Sequence, residues 1–315
     1  MLYAYRPLWS NAKAGSFAGS FAGSFAGSFG GSIGTPFLSL ALSRSREAII
    51  QPDDLNFHVP TNCNLPAMAD QTESDSRLTR WAPGVRQTLM LNELLKPLDY
   101  SVNAANSSVA VKVTGTPSLT LIRPRMPTFQ SQIADVIDYA QLREDRGPEI
   151  LAQVSETASF WSTVLPLRDE GTATVQLLTL ATELAKFIEV RFKHEFGCPR
   201  PHEYSPQVQP MIPTPLHGAF PMGHMCEAVV VAHLLSYVTA TSKSTATSST
   251  NEQLRRLAWR IGENRIVAGV HFPVDLLGGL ALGDWVGRYL LACAGVAGQF
   301  QSKALTFDAG NAKET

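Results

Sequence analysis

The spacing of apolar residues predicts a chain built mainly of α-helices. Leu177, Leu180, Ala181, Leu184 and Ile188 recur at three- and four-residue intervals, the apolar face of a helix over about 171–195. Val229 to Tyr237 lie in a helix expected over about 223–240, and Leu254, Leu257, Ala258 and Ile261 mark one face of another over 252–270. Pro273 starts a last helix that runs to about Cys293. Upstream, Pro127 opens a helical stretch to about Asp145. Pro148 opens another to about Leu165, with Glu149 in its first turn, where the helix dipole favours a carboxylate. Alternating or β-branched runs at Ser107–Val113 and Ser118–Ile122 flank Gly115-Thr116-Pro117 and predict a small β-hairpin near 107–122. Prolines at 199, 201, 206, 210, 213, 215 and 221 forbid helix and stiffen one long loop, and the Ser/Thr-rich stretch 239–250 reads as a linker. The expected fold is therefore mainly α, a helical bundle with one long rigid inter-helix loop.

Residues 1–77 lack this periodicity. Ser-Phe-Ala-Gly repeats three times from Ser16 and closes with Ser-Phe-Gly-Gly-Ser at 28–32, a four-residue period that fits neither helix nor strand. This segment is expected to be a disordered tail. Met68 begins a charged, small-residue run that resembles an ordinary protein start, so Met68 is an alternative initiation site. Residues 78–315 are expected to form one helical catalytic domain.

Composition removes several function classes. A net charge of −1 argues against nucleic-acid binding, which needs a basic excess or stripe. Cys63, Cys198, Cys226 and Cys293 show no CxxC pair and are expected to be free thiols of a reducing compartment. No signal-peptide core follows Arg6 and Lys13, and the most apolar stretch, Leu276–Ala297, is interrupted by Asp284 and Arg288. The expectation is a cytoplasmic protein that does not span a membrane.

Three local patterns carry chemistry. Lys193 is followed, after six residues, by Arg200-Pro201. Pro221-Met222-Gly223-His224 stands at the mouth of a helix. Arg265 precedes His271 by five intervening residues, and Asp275 follows after three more. Alone, Lys193 is a solvated helix-end charge and His224 an ordinary helix residue. Arg265 is the anomaly, because it lies one turn beyond Ile261 on an apolar face, and a buried cation needs an anionic partner. Together they suit a tetrahedral oxyanion. Arg200 and Arg265 can each engage two oxygens through the guanidinium fork, and Lys193 adds a point charge. Gly223 allows close approach of the backbone, and the helix start directs free amides at the same anion. His271 can attack phosphorus or ligate a metal if Asp275 holds its other ring nitrogen. His224 can move a proton on the opposite side. His217 is a candidate for the pocket entrance, His233 for a satisfied core histidine and His194 for a solvent-facing one.

In this order and spacing the patterns resemble the vanadium haloperoxidase / type 2 phosphatidic acid phosphatase superfamily, whose motifs are Lys-x6-Arg-Pro, Pro-Ser-Gly-His and Ser-Arg-x5-His-x3-Asp. The run from Arg191 to Pro201, with Gln209 to Pro215, looks like the soluble bacterial haloperoxidase-like branch, and the similarity extends over about Pro127 to Cys293. The resemblance implies that Lys193, Arg200, Met222, Gly223 and Arg265 hold the oxyanion. It also implies that His271 is the vanadate ligand of a peroxidase or the phosphorylated nucleophile of a phosphatase, with His224 the acid–base residue and Asp275 orienting His271. Relatives of this kind are often homodimers.

Two residues depart from the pattern. Asn264 replaces the serine before the arginine, a small polar exchange. Met222 replaces the serine of the second motif, and a thioether has no proton to donate. One lost oxyanion donor lowers turnover roughly a hundred- to a thousand-fold. The first expectation is a vanadate-dependent haloperoxidase that uses halide and peroxide. A phosphomonoesterase acting through phospho-His271, which needs no cofactor, is the alternative, and a non-catalytic oxyanion-binding protein is the third.

Overall fold

The computed structural model describes residues 81–103, 107–165, 167, 173–241, 247–300 and 304–308. The repeat at 16–32, the Met68 start and Cys63 lie outside the described residues. Two units are distinguished along the chain, Met1–Arg86 and Gln87–Thr315. Of the first, only residues 81–86 are described, and they carry the start of helix α1 (Pro83–Leu95).

The second unit is mostly helical. Three long helices carry the anticipated faces: α6 (Ala173–Phe196), α8 (Gly223–Thr241) and α10 (Pro273–Cys293). A fourth, α9 (Thr247–Val267), begins inside the stretch read as a linker. Leu184, Ile188 and Phe192 of α6 form one apolar core with Val230 and Leu234 of α8 and with Leu282, Trp285 and Val286 of α10. Leu254, Ala258 and Ile261 of α9 pack with Ala232 and Leu235 of α8 in a second core, under Trp161. Gly279 and Gly283 allow α10 to lie almost on the α8 backbone. A Cβ on Gly279 would stand 2.4 Å from the Met222 carbonyl oxygen, and one on Gly283 2.6 Å from that of Cys226. This contact sets the start of α8 beside the start of α10, and Met222 N–H donates to the Asp275 carbonyl at 2.8 Å. Asp284 and Arg288, which interrupt the apolar run, serve the same pair of helices: Asp284 accepts from His233 of α8 at 2.9 Å and from Arg288 at 2.8 Å.

The hairpin lies where the β-branched runs placed it, as β2 (Ser108–Lys112) antiparallel to β3 (Leu119–Ile122). It belongs to a larger sheet of order β1-β2-β3-β4, with β1 (Asp99–Asn103) antiparallel to β2 and β4 (Leu305–Asp308) parallel to β3. Val109, Val111, Leu119 and Leu121 turn into the main core.

The helices before α6 are shorter than expected. The stretch from Pro127 is divided into α2 (Met126–Ser131) and α3 (Ile133–Tyr139). At the break, the Gln132 side chain accepts the Val274 amide at the start of α10 at 3.1 Å. Pro148 does not open a helix. It lies inside α4 (Arg143–Ala152), and α5 (Thr157–Phe160) follows as a separate piece. The proline is accommodated because tertiary bonds hold α4 against α9: Arg143 donates to the Val267 carbonyl, Arg146 pairs with Glu263, and Glu149 pairs with Arg260 at 2.8 Å. Within the proline-rich loop a single turn, α7 (Pro201–Tyr204), follows Arg200, whose N–H donates to Glu203 at 2.8 Å.

Candidate active site

The last two turns of α6 put Lys193 on the buried face, 2% exposed, beside Phe192 and Phe196. Its Nζ reaches the carbonyls of Gly218 and Ala219 at 3.3 and 3.5 Å. These long bonds leave the ammonium under-satisfied. Arg200 enters from the proline-rich loop and is also buried. Its Nε donates to the His217 carbonyl at 3.1 Å and its Nη1 to the Val270 carbonyl at 2.8 Å, while Nη2 lies 3.3 Å from both the Gly218 carbonyl and His217 Nδ1. The Gly218 carbonyl is thus common to Lys193 and Arg200, which fixes the two cations side by side.

Arg200 Nη1 also lies 2.8 Å from His271 Nε2, and His271 Nδ1 lies 3.0 Å from Asp275 Oδ2. The carboxylate accepts Nδ1–H, so Nε2 carries the lone pair and receives the Arg200 proton. The local sequence explains the placement. His271-Phe272-Pro273-Val274-Asp275 begins α10 with proline at its first position, and Asp275 Oδ2 caps the turn by accepting Phe272 N–H at 2.9 Å. One carboxylate therefore caps the start of the helix and orients the imidazole. Burial, then the Arg200 and Lys193 cations, holds His271 well below the ordinary histidine range, so the ring is neutral at neutral pH. Burial pushes Asp275 up to about 7, against the pull of the Phe272 amide and the same two cations.

Arg265 comes from the last turn of α9. It is 1% exposed, and its Nη2 donates to the Ile150 carbonyl at 3.1 Å and to Gln153 Oε1 at 3.0 Å. Its Nε is buried with no hydrogen-bond partner, a donor suited to an acceptor oxygen. Desolvation lowers its pKa to about 10. Gln153, fully buried, also accepts from Asn264 Nδ2 at 3.1 Å and donates to Glu149 at 3.1 Å, and its backbone bonds His224. The end of α4 thus braces both Arg265 and His224. Burial, reinforced by Arg265, Lys193 and Arg200, drives His224 down to about 3. Arg265, Lys193 and Arg200 all act on His224, and Arg200, Lys193 and His224 act on His271, so the five residues are electrostatic neighbours.

The family comparison settles on the same stretch. Residues 174–297, which span all five, match the family described as the PAP2 superfamily. Those residues form a PAP2 superfamily domain. Among solved structures, a crystal structure titled as the first transmembrane PAP2 type phosphatidylglycerolphosphate phosphatase, from Bacillus subtilis, is similar at 18% identity. It covers 56% of this chain and 82% of that one, with a TM-score of 0.35. No curated protein matches. No helix among the described residues is long and apolar enough to cross a membrane.

Two residues of the PAP2 motifs lie differently from their sequence reading. Met222 is fully buried within the main apolar core, and among the described hydrogen bonds none involves its sulfur; its contribution to the site is the N–H that donates to Asp275. A long apolar side chain at this position packs inward where a serine would present a donor. Gly223 does permit a close approach, and the group that approaches is a carboxylate: a Cβ there would lie 2.3 and 2.4 Å from the two oxygens of Glu189. None of the described hydrogen bonds takes the amides of Gly223, His224 or Met225, so the open end of α8 faces outward from the helix with its partial positive charge.

The remaining histidines divide as follows. His217 is exposed; its Nδ1 lies 3.3 Å from Arg200 Nη2, and desolvation with the nearby Lys193 and Arg200 cations lowers its pKa to about 4, so it stands at the edge of the site. His233 is half-buried and bonded to Asp284, and His194 is exposed. Cys198, Cys226 and Cys293 are free, and among the described residues no cluster of histidine, cysteine and carboxylate side chains is arranged for a metal ion. Glu189 and Gln153 escaped the sequence reading. Glu189 carried the same signal as Arg265, a charge on an apolar face, whereas nothing local distinguished Gln153.

Proposed function

We propose that this protein is a phosphomonoesterase that works through a phosphohistidine at His271. The observation that carries this reading is the His271 Nε2 lone pair, oriented by Asp275 and directed at the buried Arg200, with the buried Lys193 a second cation acting on the ring. PAP2 superfamily members are phosphatases, which reverses the order in which the sequence ranked the two enzymatic readings.

A phosphomonoester would draw its oxygens to Lys193, to Arg265 Nε and to the amides at the start of α8. Arg200 Nη1 would exchange His271 Nε2 for a phosphoryl oxygen and so release the lone pair. Nε2 attacks phosphorus, the P–O bond to the alcohol breaks, and the leaving oxygen takes a proton from His224. Burial, with the nearby cations, holds His224 at about 3; the bound phosphoryl group offsets the cations and raises the pKa, which favours a proton on the ring. Water then attacks phospho-His271, giving its proton to His224 and restoring the free imidazole. General acid–base help of this kind contributes typically 10²–10⁴-fold.

Vanadate is also a tetrahedral oxyanion, and the unpartnered Arg265 Nε and the His271 lone pair fit it. Bound there, it would supply peroxide activation for halide oxidation. As a tetrahedral analogue of phosphate, vanadate is expected to act here as an inhibitor in its place. One preparation assayed with p-nitrophenyl phosphate, and with bromide plus peroxide, separates the readings. Phosphate release that orthovanadate suppresses is expected. Bromide oxidation dependent on vanadate would restore the peroxidase, and oxyanion binding without turnover would favour a binding protein.

A further inference from the structure

The mechanism leaves Glu189, a buried ionisable group beside the site's cations, unused. Glu189 precedes Lys193 by one turn of α6 and is 5% exposed. Its carboxylate lies against the Cα of Gly223, the residue that opens α8, and Oε2 has no hydrogen-bond partner. It makes none of the described ion pairs with Lys193, whose Nζ is directed at the Gly218 and Ala219 carbonyls. The charged and titratable groups facing it are Lys186 and Lys193 on α6, Arg200 from the loop, and Cys226 and Glu227 on α8. An acidic side chain is thus set beside the amides and cations assembled for an anion. Two full negative charges at that separation from bulk water repel strongly, whereas one proton between them converts repulsion into a hydrogen bond.

We propose that Glu189 is a selectivity residue: it and the bound oxyanion share one proton, so the site takes hydrogen-bearing tetrahedral oxyanions over fully ionised ones as pH rises. The inference rests on the oxyanion pocket described above. Phosphate brings its own proton throughout the neutral and mildly alkaline range. Sulfate has none and relies on a proton held by Glu189. Glu227 supports that proton: burial raises both carboxylates, and the charge of Glu189 adds to the rise of Glu227, to about 8.

The test is calorimetric titration of the full chain with inorganic phosphate and, separately, with sulfate from pH 6 to pH 9. Sulfate affinity should fall by about tenfold per pH unit above the titration of the pair, the slope for one linked proton, while phosphate affinity falls less. Glu189→Gln should flatten the sulfate curve and reduce the phosphate preference at pH 9 by roughly tenfold or more. Glu227→Gln removes the like charge, so its sulfate curve should begin to fall at lower pH; this variant also carries the test if Glu189→Gln does not fold. Parallel phosphate and sulfate curves, or a sulfate slope unchanged in both variants, would overturn the role of Glu189 and leave the pocket standing. Failure of wild type to bind either anion at any pH would overturn both.

Discussion

Replacing His271 by alanine is expected to abolish phosphate release, with a loss of about four orders of magnitude or more. No other imidazole among the described residues is oriented by a buried carboxylate: His217, the other ring beside Arg200, has only the Gly218 carbonyl beside its Nδ1. Lys193, Arg200 and Arg265 are cations without a free lone pair, and His224 is bonded to the backbone of Gln153 on a different wall of the pocket. The variant should still fold, because the main core is built from α6, α8, α10 and the sheet, none of which uses His271 for apolar packing. Its cost to stability is about 1–3 kcal/mol, since the largely buried Asp275 loses one of the two donors on Oδ2. His271→Asn keeps a donor within the reach of Asp275 and should be equally inactive while recovering part of that stability. Initial rates and circular dichroism of both variants check this. Residual activity above about one per cent in a folded variant would place the nucleophile elsewhere.

Arg200→Lys should be the next most damaging change, although it conserves charge. The guanidinium spans the carbonyls of His217, Gly218 and Val270 and the lone pair of His271, so one rigid group ties the proline-rich loop to the residues just before α10. Lysine offers three donors at a single point and cannot reach that set together. A lost oxyanion donor is worth roughly a hundred- to a thousand-fold in turnover, and a fall of that size in kcat/KM is expected. A fall below tenfold would mean that charge alone matters at this position, and that the fork geometry contributes little.

The parts legible in the sequence were those with local causes. The limits of α10 follow from Pro273 and the capping carboxylate of Asp275, both encoded within five residues of the start. The apolar stripe of α6 and the β-branched runs of β2 and β3 are likewise local. What was missed depended on distant partners. Pro148 looked like a helix start because its neighbours fit one, yet bonds from Arg143, Arg146 and Glu149 to α9 hold it inside α4. β4 is four residues long and exists through pairing with β3, across most of the described chain. Within the site, spacing identified the cations and His271, whereas Met222 showed the limit of motif matching: the position was found, but the side chain packs into the core. Glu189 was readable in principle. It shares the buried stripe of α6 with Lys193, and two opposite charges on an apolar stripe carry the same anomaly as the single one at Arg265.

The central claim is that phosphate passes through His271 Nε2. Rapid mixing of the protein with a ³²P-labelled phosphomonoester, an alkaline quench that preserves phosphohistidine, and peptide mapping measure this directly. The account predicts label on the peptide containing His271, appearing before product and absent from His271→Ala. Label on another residue, or release of product with no label passing through the protein, would contradict it.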